Sequence, residues 1–230
     1  MVAYLQGLNI FIKEFRRQEY VNVCDEILRN FIKLLINENK NLNPECLNNT
    51  IELINAKKFL FMLFAVKVSD DLSDDQRTEI INRSKIDTIN ILVRNFLLFS
   101  CKDFHSLLSH NLNESERKCF DKFAVDNKLV DVQIPLRSIN DNMTINCDEY
   151  IETDRLRKQE IIEETLNLTR QQRKCFKMKS NESKFYETLT RLIVLNEINL
   201  SETEKLNERV NFDMFLMTTF ENALSCLESF

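Results

Sequence analysis

Residues 59–66 read Phe-Leu-Phe-Met-Leu-Phe-Ala-Val, which is the longest uninterrupted apolar run in this chain of 230 residues. Eight residues are far fewer than the roughly 20 that a membrane-spanning helix requires. The run ends a predicted helix of residues 44–68 and makes that part of the helix apolar on every side. Because a helix of this kind lies in the middle of a packed bundle, the run predicts a helical core.

The rest of the chain almost lacks the two residues that usually mark turns. Gly7, Pro44 and Pro135 are its only glycine and prolines. Because Gly and Pro mark the connections between short strands, the composition predicts an all-α fold of about seven or eight helices joined by Asn, Asp and Ser. We expect irregular antiparallel helical hairpins in a single domain of residues 1–230, with an irregular connection near residues 125–150.

The helical spacing of apolar residues places the individual helices. Asn43, Ser73 and Ser201 are the predicted N-caps, because such side chains accept hydrogen bonds from the first turn of a helix. The predicted helices are residues 2–15, 18–36 and 44–68, a fourth from Ser73 to about Leu97, a fifth that starts near Asn113, residues 149–176, a seventh around residues 185–193, and an eighth from Ser201 to about Leu227.

Composition and charge exclude several classes of function. A chain with one glycine has no Gly-rich phosphate loop, nucleophile elbow or dinucleotide fingerprint. The net charge of -5 argues against a protein that coats nucleic acid, because that affinity comes mainly from cations placed against phosphates. We therefore predict a protein that is not an enzyme and takes no cofactor.

The seven cysteines are scattered, and no two have the Cys-x-x-Cys spacing. Only His105 and His110 are available to complete a zinc site, so no metal site is predicted. Both histidines are interpreted as surface or capping residues. We expect free thiols in a reducing compartment. Because the first residues also lack the pattern of a signal peptide, the predicted location is the cytoplasm, or the cytoplasm and the nucleus.

The segment Asp70-Asp71-Leu72-Ser73-Asp74-Asp75 is a prominent acidic cluster after the Phe-rich helix. It resembles the Asp-rich magnesium motif of helical isoprenoid synthases, and Asn140–Thr144 with Asp148 resembles the second metal motif of that family. Carboxylates at this spacing suit Mg²⁺ that bridges to a diphosphate. Asp and Ser between helices also serve as caps, and we favour that interpretation. A magnesium-dependent isoprenoid-type enzyme is the minor alternative.

The predicted helix of residues 149–176 is acidic in its first half and basic in its second half and at its exit. This gradient complements the helix dipole. The favoured interpretation of the basic segment from Arg170 to Lys184 is therefore a solvated helix end. With Phe176 and Phe185 interleaved, the segment also suits an acidic protein face or, less favoured, nucleic acid.

Three stretches resemble, in order and rough spacing, the family of two-A-phosphatase-associated proteins, also called the alpha-four or immunoglobulin-binding protein family. Residues 58–61, Lys-Phe-Leu-Phe, are similar to that family's Lys-aromatic-Leu helix, and residues 95–97, Asn-Phe-Leu, to its Asn-aromatic-Leu motif. Residues 155–158, Arg-Leu-Arg-Lys, lead into Ile161 and resemble the basic start of its next long helix. The resemblance covers most of the chain, including a closing pair of helices.

The resemblance implies a TPR-like, right-handed stack of helices that binds catalytic subunits of type 2A and related Ser/Thr protein phosphatases. It would hold them inactive and protect them from degradation. The contact residues of the family are an Arg and, three places on, a Lys before an Ile. Arg155 and Lys158 keep that spacing, whereas alignment on Ile161 places Arg157 and Glu160 there. The predicted partner-binding residues are therefore Arg155, Arg157 and Lys158.

Clustered cations also suit an acidic partner surface on physical grounds, and stacked helices present broad grooves. The sequence thus predicts a non-enzymatic binding protein, a regulatory or scavenger subunit of a phosphatase. The alternative is a helical structural or interaction protein without a phosphatase link, from a virus or parasite with an AT-rich genome, because Asn, Ile and Lys are abundant.

Overall fold

The computed structural model of the protein describes residues 18–68, 72–104, 107, 113–127, 146–196 and 202–228. All regular structure in these residues is helical, which confirms the predicted all-α fold. A five-residue π-helical turn, Phe99–Asp103, follows α5 directly. The helices are α1 (Gln18–Glu38), α2 (Pro44–Leu53), α3 (Lys57–Val68), α4 (Asp74–Ser84), α5 (Ile86–Leu98), α6 (Glu114–Asp126), α7 (Cys147–Thr165), α8 (Arg170–Glu182), α9 (Phe185–Asn196) and α10 (Glu202–Glu228).

The chain divides into two compact units, Met1–Ile86 and Asp87–Phe230. The first unit contains α1 to α4, and the second contains α6 to α10 together with α5 beyond its first residue. Each unit has its own set of buried apolar side chains. The single domain of residues 1–230 stays a prediction.

In the first unit, α1 packs against α2 and α3, and α3 packs against α4. Helix α3 contains the apolar run of residues 59–66. Leu60 and Val66 in this run are buried, but Phe59, Phe61 and Met62 keep part of their surface exposed. The expectation of a helix enclosed on every side therefore does not hold for these three. Apolar side chains without exposed surface in this unit are Leu35, Leu47, Ile51 and Ala56.

Polar side chains start the helices at the predicted positions. Asn43 accepts a hydrogen bond of 2.8 Å from the amide of Glu45, and Pro44 occupies the first turn of α2. Ser73 and Asn113 each form a capping box, in which the cap and the residue three places on bond each other's backbone N–H. Since a cap of this kind stabilises a helix by about 0.5–2 kcal/mol, these residues determine where α2, α4 and α6 begin.

Three of the predicted helices are each two helices, because the chain turns at one residue in the left-handed backbone conformation. Asn55 (φ 51°) separates α2 from α3, Lys85 (φ 53°) separates α4 from α5, and Asn167 (φ 56°) lies between α7 and α8. After Asn55 and Asn167 the next amide bonds the carbonyl five residues back, at 2.9 and 3.1 Å, as in a Schellman motif. The predicted count of seven or eight was therefore too low, since the described residues contain ten α-helices.

Helix α9 is the centre of the second unit, because α6, α7, α8 and α10 all pack against it. Phe185 at its start is fully buried, and its ring centroid lies 5.4 Å from that of Phe176 in α8 and 5.4 Å from that of Phe215 in α10. Phe96 of α5 meets Phe220 of α10 edge to face at 5.2 Å. Aromatic pairs of this geometry add to the free energy of burial, so phenylalanine supplies much of this core.

Two disulfide bonds tie helices of the second unit together. Cys119 of α6 is bonded to Cys147 of α7, and Cys175 of α8 is bonded to Cys226 of α10. The prediction of free thiols is wrong for these four cysteines, because pairing depends on distances between helices and not on spacing along the chain. Disulfides persist in oxidising environments and are rare in cytosolic proteins. Free thiols were one of the reasons for the predicted cytoplasmic or nuclear location, and for these four cysteines that reason no longer applies.

Some of the sequence predictions lie outside the described residues. At the edges of the connection near residues 125–150 the described residues are helical, since α6 runs to Asp126 and α7 starts at Cys147. Among the described helices, none has the length and apolar character needed to cross a membrane. The predictions that lie outside are the helix of residues 2–15, the Ser201 cap, most of the irregular connection, His105, His110, Asp70, Asp71 and Asn140–Thr144.

Replacing both Cys175 and Cys226 by Ser should lower the free energy of unfolding by about 4 kcal/mol, because the bond closes a loop of 51 residues in the unfolded chain. Chemical denaturation without reductant measures this difference. With excess reductant, the parent and the variant should unfold together. Recovery of Cys175 and Cys226 as free thiols, by alkylation and mass spectrometry of the unreduced protein, would contradict the pairing.

Candidate binding groove between α7 and α8

The three predicted partner-binding residues all lie on α7, but they do not form one exposed surface. Lys158 is buried, with 3% of its side chain exposed, and its Nζ lies 2.7 Å from Asp154 Oδ2. A buried ion pair of this kind is expensive to break, because the remaining charge has no compensation. Lys158 therefore serves the interior of the second unit.

Arg155 is mostly buried as well, with 12% of its side chain exposed. Its guanidinium stacks on the ring of Tyr186 in α9, 4.0 Å from the centroid. It also donates hydrogen bonds to Glu152, which hold the pKa of that carboxyl below its ordinary value. The second unit thus uses Arg155 to join α7 to α9.

Arg157 is the one exposed side chain of the three. Arg155 and Lys158 are three positions apart and lie on the inner side of α7, whereas Arg157 points away from that side. Helical spacing puts Arg157 on the same side of α7 as Glu160 and Glu164. The cation cluster of the sequence is therefore reduced to a single exposed cation in the fold.

The buried face of α7 is unusually polar. Besides the pair of Asp154 and Lys158, Gln159 donates a hydrogen bond of 2.5 Å to Glu163, and both of these side chains are buried. Burial raises the pKa of Glu163, an effect opposed by the Gln159 hydrogen bond and by the charge of Lys177. Gln159 Oε1 has no hydrogen-bond partner within the described part of the chain. Buried polar groups cost stability unless they are paired, so the two pairs reduce the cost of burying this face.

Two tyrosines hold α7 against its neighbours. Tyr150 lies beside Phe120 of α6, and burial together with the nearby carboxylates of Glu116 and Asp154 raises its pKa to about 12. Burial also raises the pKa of Tyr186, against the charge of Arg155. Both phenols are therefore neutral hydrogen-bonding groups at physiological pH.

The predicted helix of residues 149–176 is two helices, and the explanation of its charge gradient by one helix dipole is wrong. Asn167 ends the turn after α7, and Thr169 then caps α8 in a capping box with Gln172. The basic residues consequently extend from the first turn of α8 to its last turn, where Lys179 stands. Arg170 and Arg173 stand in the first turn of α8, where the positive end of the helix dipole disfavours cations.

The turn creates an open groove between α7 and α8, with a volume of about 570 Å³. We call it the α7–α8 groove. Arg173 Nη1 lies 3.7 Å from Glu164 Oε1 across it, and Lys177 Nζ lies 3.9 Å from Glu163 Oε2. Side chains of both signs thus face one another. The lining residues are Glu160, Glu163, Glu164, Leu168, Arg170, Arg173, Lys174 and Lys177.

Two of the lining cations do not form ion pairs of this kind among the described residues. Arg170 and Lys174 are exposed, one helical turn apart on α8, and neither has an ion-pair partner among the described residues. Sequence reasoning placed both in a solvated helix end and missed the groove. The spacing of Thr169 and Gln172, which is that of a capping box, was the available signal for a helix start at this point.

The other candidate sites have structural roles where they are described. Phe176 and Phe185 have no exposed surface, so neither can stack on a nucleic acid base. Asp74 and Asp75 occupy the first turn of α4, where carboxylates stabilise the helix. Asp148 has the same position in α7. Within the described residues, no group of three or more His, Cys, Asp or Glu side chains is placed to hold a metal ion.

Comparisons with protein-family models, with curated proteins and with solved structures find no match to this chain. They do not bear on the resemblance to the phosphatase-associated family, which stays a prediction. Function is therefore inferred from the chemistry of the α7–α8 groove and its surroundings.

Lys158→Met should lower the free energy of unfolding by about 3–5 kcal/mol, because it leaves the Asp154 carboxylate buried without its cation. The double variant Asp154→Leu/Lys158→Met should recover most of that loss, since it removes both charges. Urea denaturation measures both. Arg157→Met, at an exposed position of the same helix, is the control and should stay within about 0.5 kcal/mol of the parent. Equal stability of the parent and Lys158→Met would refute the buried pair.

Glu163→Gln should stabilise the protein increasingly as the pH rises. The folded-state pKa of Glu163 lies above its ordinary value of 4.5, so the folded chain binds this proton more tightly than the unfolded chain. The resulting stability is complete below pH 4.5 and is lost as the pH rises through the folded pKa. The Tm difference between variant and parent should therefore grow from about pH 4 to about pH 7. The same growth for the exposed Glu160→Gln control would show that burial of Glu163 is not its cause.

Proposed function

We propose that the protein is a non-enzymatic binding protein that recognises an acidic protein surface through the α7–α8 groove and Arg157. The observation that carries this proposal is the pair of exposed cations, Arg170 and Lys174, on one wall of the groove. Arg157 adds a third exposed cation on the side of α7 that carries Glu160 and Glu164. Exposed charges on a rigid helical support promote association with a surface of opposite charge.

The partner that we propose is a catalytic subunit of a type 2A Ser/Thr protein phosphatase, bound by this chain as a regulatory or scavenger subunit. The resemblance to the phosphatase-associated family supports this partner, and a TPR-like right-handed stack belongs to the same proposal. Of the residues that the resemblance selects, Arg157 is exposed and available for contact. Asn95 and Phe96 of a second motif have structural roles, since Asn95 donates to the Leu166 carbonyl at 3.4 Å and Phe96 is buried.

A helical interaction protein without a phosphatase link is the alternative, and it differs from the first proposal in the partner alone. The magnesium-dependent enzyme has less support, because Asp74 and Asp75 are accounted for by the start of α4. A location in the cytoplasm, or in the cytoplasm and the nucleus, stays a prediction against which the two disulfides weigh.

Arg157→Glu should weaken binding of a purified phosphatase 2A catalytic subunit about tenfold or more, because it opposes like charges at the contact. Surface plasmon resonance with the immobilised full chain measures the dissociation constant. Charge reversal at Arg155 or Lys158 is unsuitable for this test, since both side chains serve the interior.

Lys122→Glu is the matched control, because it makes the same charge change at an exposed position of α6 away from the groove. It should bind as the parent does. No binding by the parent would end the phosphatase proposal. If Arg157→Glu and Lys122→Glu weaken the affinity for the phosphatase equally, the cause is the change in net charge and not a contact made by Arg157.

A further inference from the structure

The first turns of α8 contain more positive charges than the facing carboxylates of α7 balance by ion pairs. Arg173 and Lys177 are balanced by Glu164 and Glu163 across the α7–α8 groove. Arg170 and Lys174 have no such partner among the described residues, although both line the same groove. Like charges four residues apart destabilise a helix, and the helix start adds to their cost. These two cations are therefore arranged against stability, as functional residues often are.

The surroundings of Arg170 and Lys174 favour a compact anion. The volume of about 570 Å³ accommodates a tetrahedral anion together with part of the molecule that carries it. Leu168 gives the groove an apolar wall. The Thr169 cap fixes the first turn of α8, so the two cations stand on a defined support.

We propose that the α7–α8 groove binds a phosphomonoester group, whose oxygens are held by Arg170 and Lys174. A phosphate dianion offers three oxygens to charged donors, and Arg can bind two of them at once. The group is either the phosphorylated side chain of a protein partner or free inorganic phosphate. Nucleic acid is the less favoured ligand, because Phe176 and Phe185, the aromatic residues that accompany the basic segment, are fully buried and cannot stack on a base.

This inference rests on the proposed function only in taking the groove as a binding face, and its test needs no protein partner. Isothermal titration calorimetry of the full chain would use a neutral tripeptide with a central phosphoserine, the same tripeptide with serine, and inorganic phosphate. We expect saturable binding of one phosphoserine peptide per chain and none of the serine peptide. A tighter complex with the peptide than with phosphate would identify a phosphorylated side chain as the source, and equal affinities would identify free phosphate.

Arg170→Gln/Lys174→Gln should weaken the binding of the phosphoserine peptide at least about tenfold, because it removes both charged donors. Lys122→Gln/Lys184→Gln removes two charges at exposed positions outside the groove and should change the affinity less than about twofold. Circular dichroism would confirm that both variants are folded. Absence of saturable binding of peptide and phosphate alike, or equal weakening in the two variants, would overturn the proposal.

The outcomes also separate this site from the proposed function. If the chain binds the phosphopeptide but not the phosphatase, the phosphomonoester site in the α7–α8 groove is supported and the phosphatase is rejected as the partner. If the chain binds the phosphatase, Arg157→Glu disrupts that binding, and the phosphopeptide does not bind, the proposed protein-binding face is supported and the phosphomonoester site is rejected. Neither result depends on the other, because the two tests change different residues and use different probes.

Discussion

The second unit depends on the burial of Phe185. This ring starts α9 and packs against Phe176 of α8 and Phe215 of α10, so one side chain fixes three helices together. Its neighbour Tyr186 then faces α7, where Arg155 stacks on its ring. This pair of adjacent aromatic residues thus joins α9 to both helices that line the groove. The disulfide from α8 to α10 reinforces the same contact.

Around this aromatic centre, α7 combines structural and functional demands. Its inner face buries Asp154 with Lys158 and Gln159 with Glu163, each pair one helical turn apart. Such pairs restrict how a helix can be placed, because a shift of the helix separates the buried partners. The outer face retains the exposed Arg157. Burial thus selects which of the charged residues on one helix are available to a ligand.

Local signals in the sequence were sufficient for much of the fold. Asn43, Ser73 and Asn113 start helices as expected, because a cap acts through atoms a few residues away. The breaks at Asn55, Lys85 and Asn167 were missed, because apolar spacing continues across them and no glycine marks the left-handed residue. The missed break at Asn167 had the largest consequence, since it reversed the interpretation of the basic segment that begins at Arg170.

The sequence by itself determined the helical class, the capped starts of α2, α4 and α6, and the residue types that supply the core. Each of these depends on interactions within a few positions or on composition. Only the tertiary structure decided that Cys119 pairs with Cys147 and Cys175 with Cys226. It alone also decided that Lys158 is internal and that the α7–α8 groove exists. These outcomes depend on distances between separate helices, and such distances arise only when the helices pack.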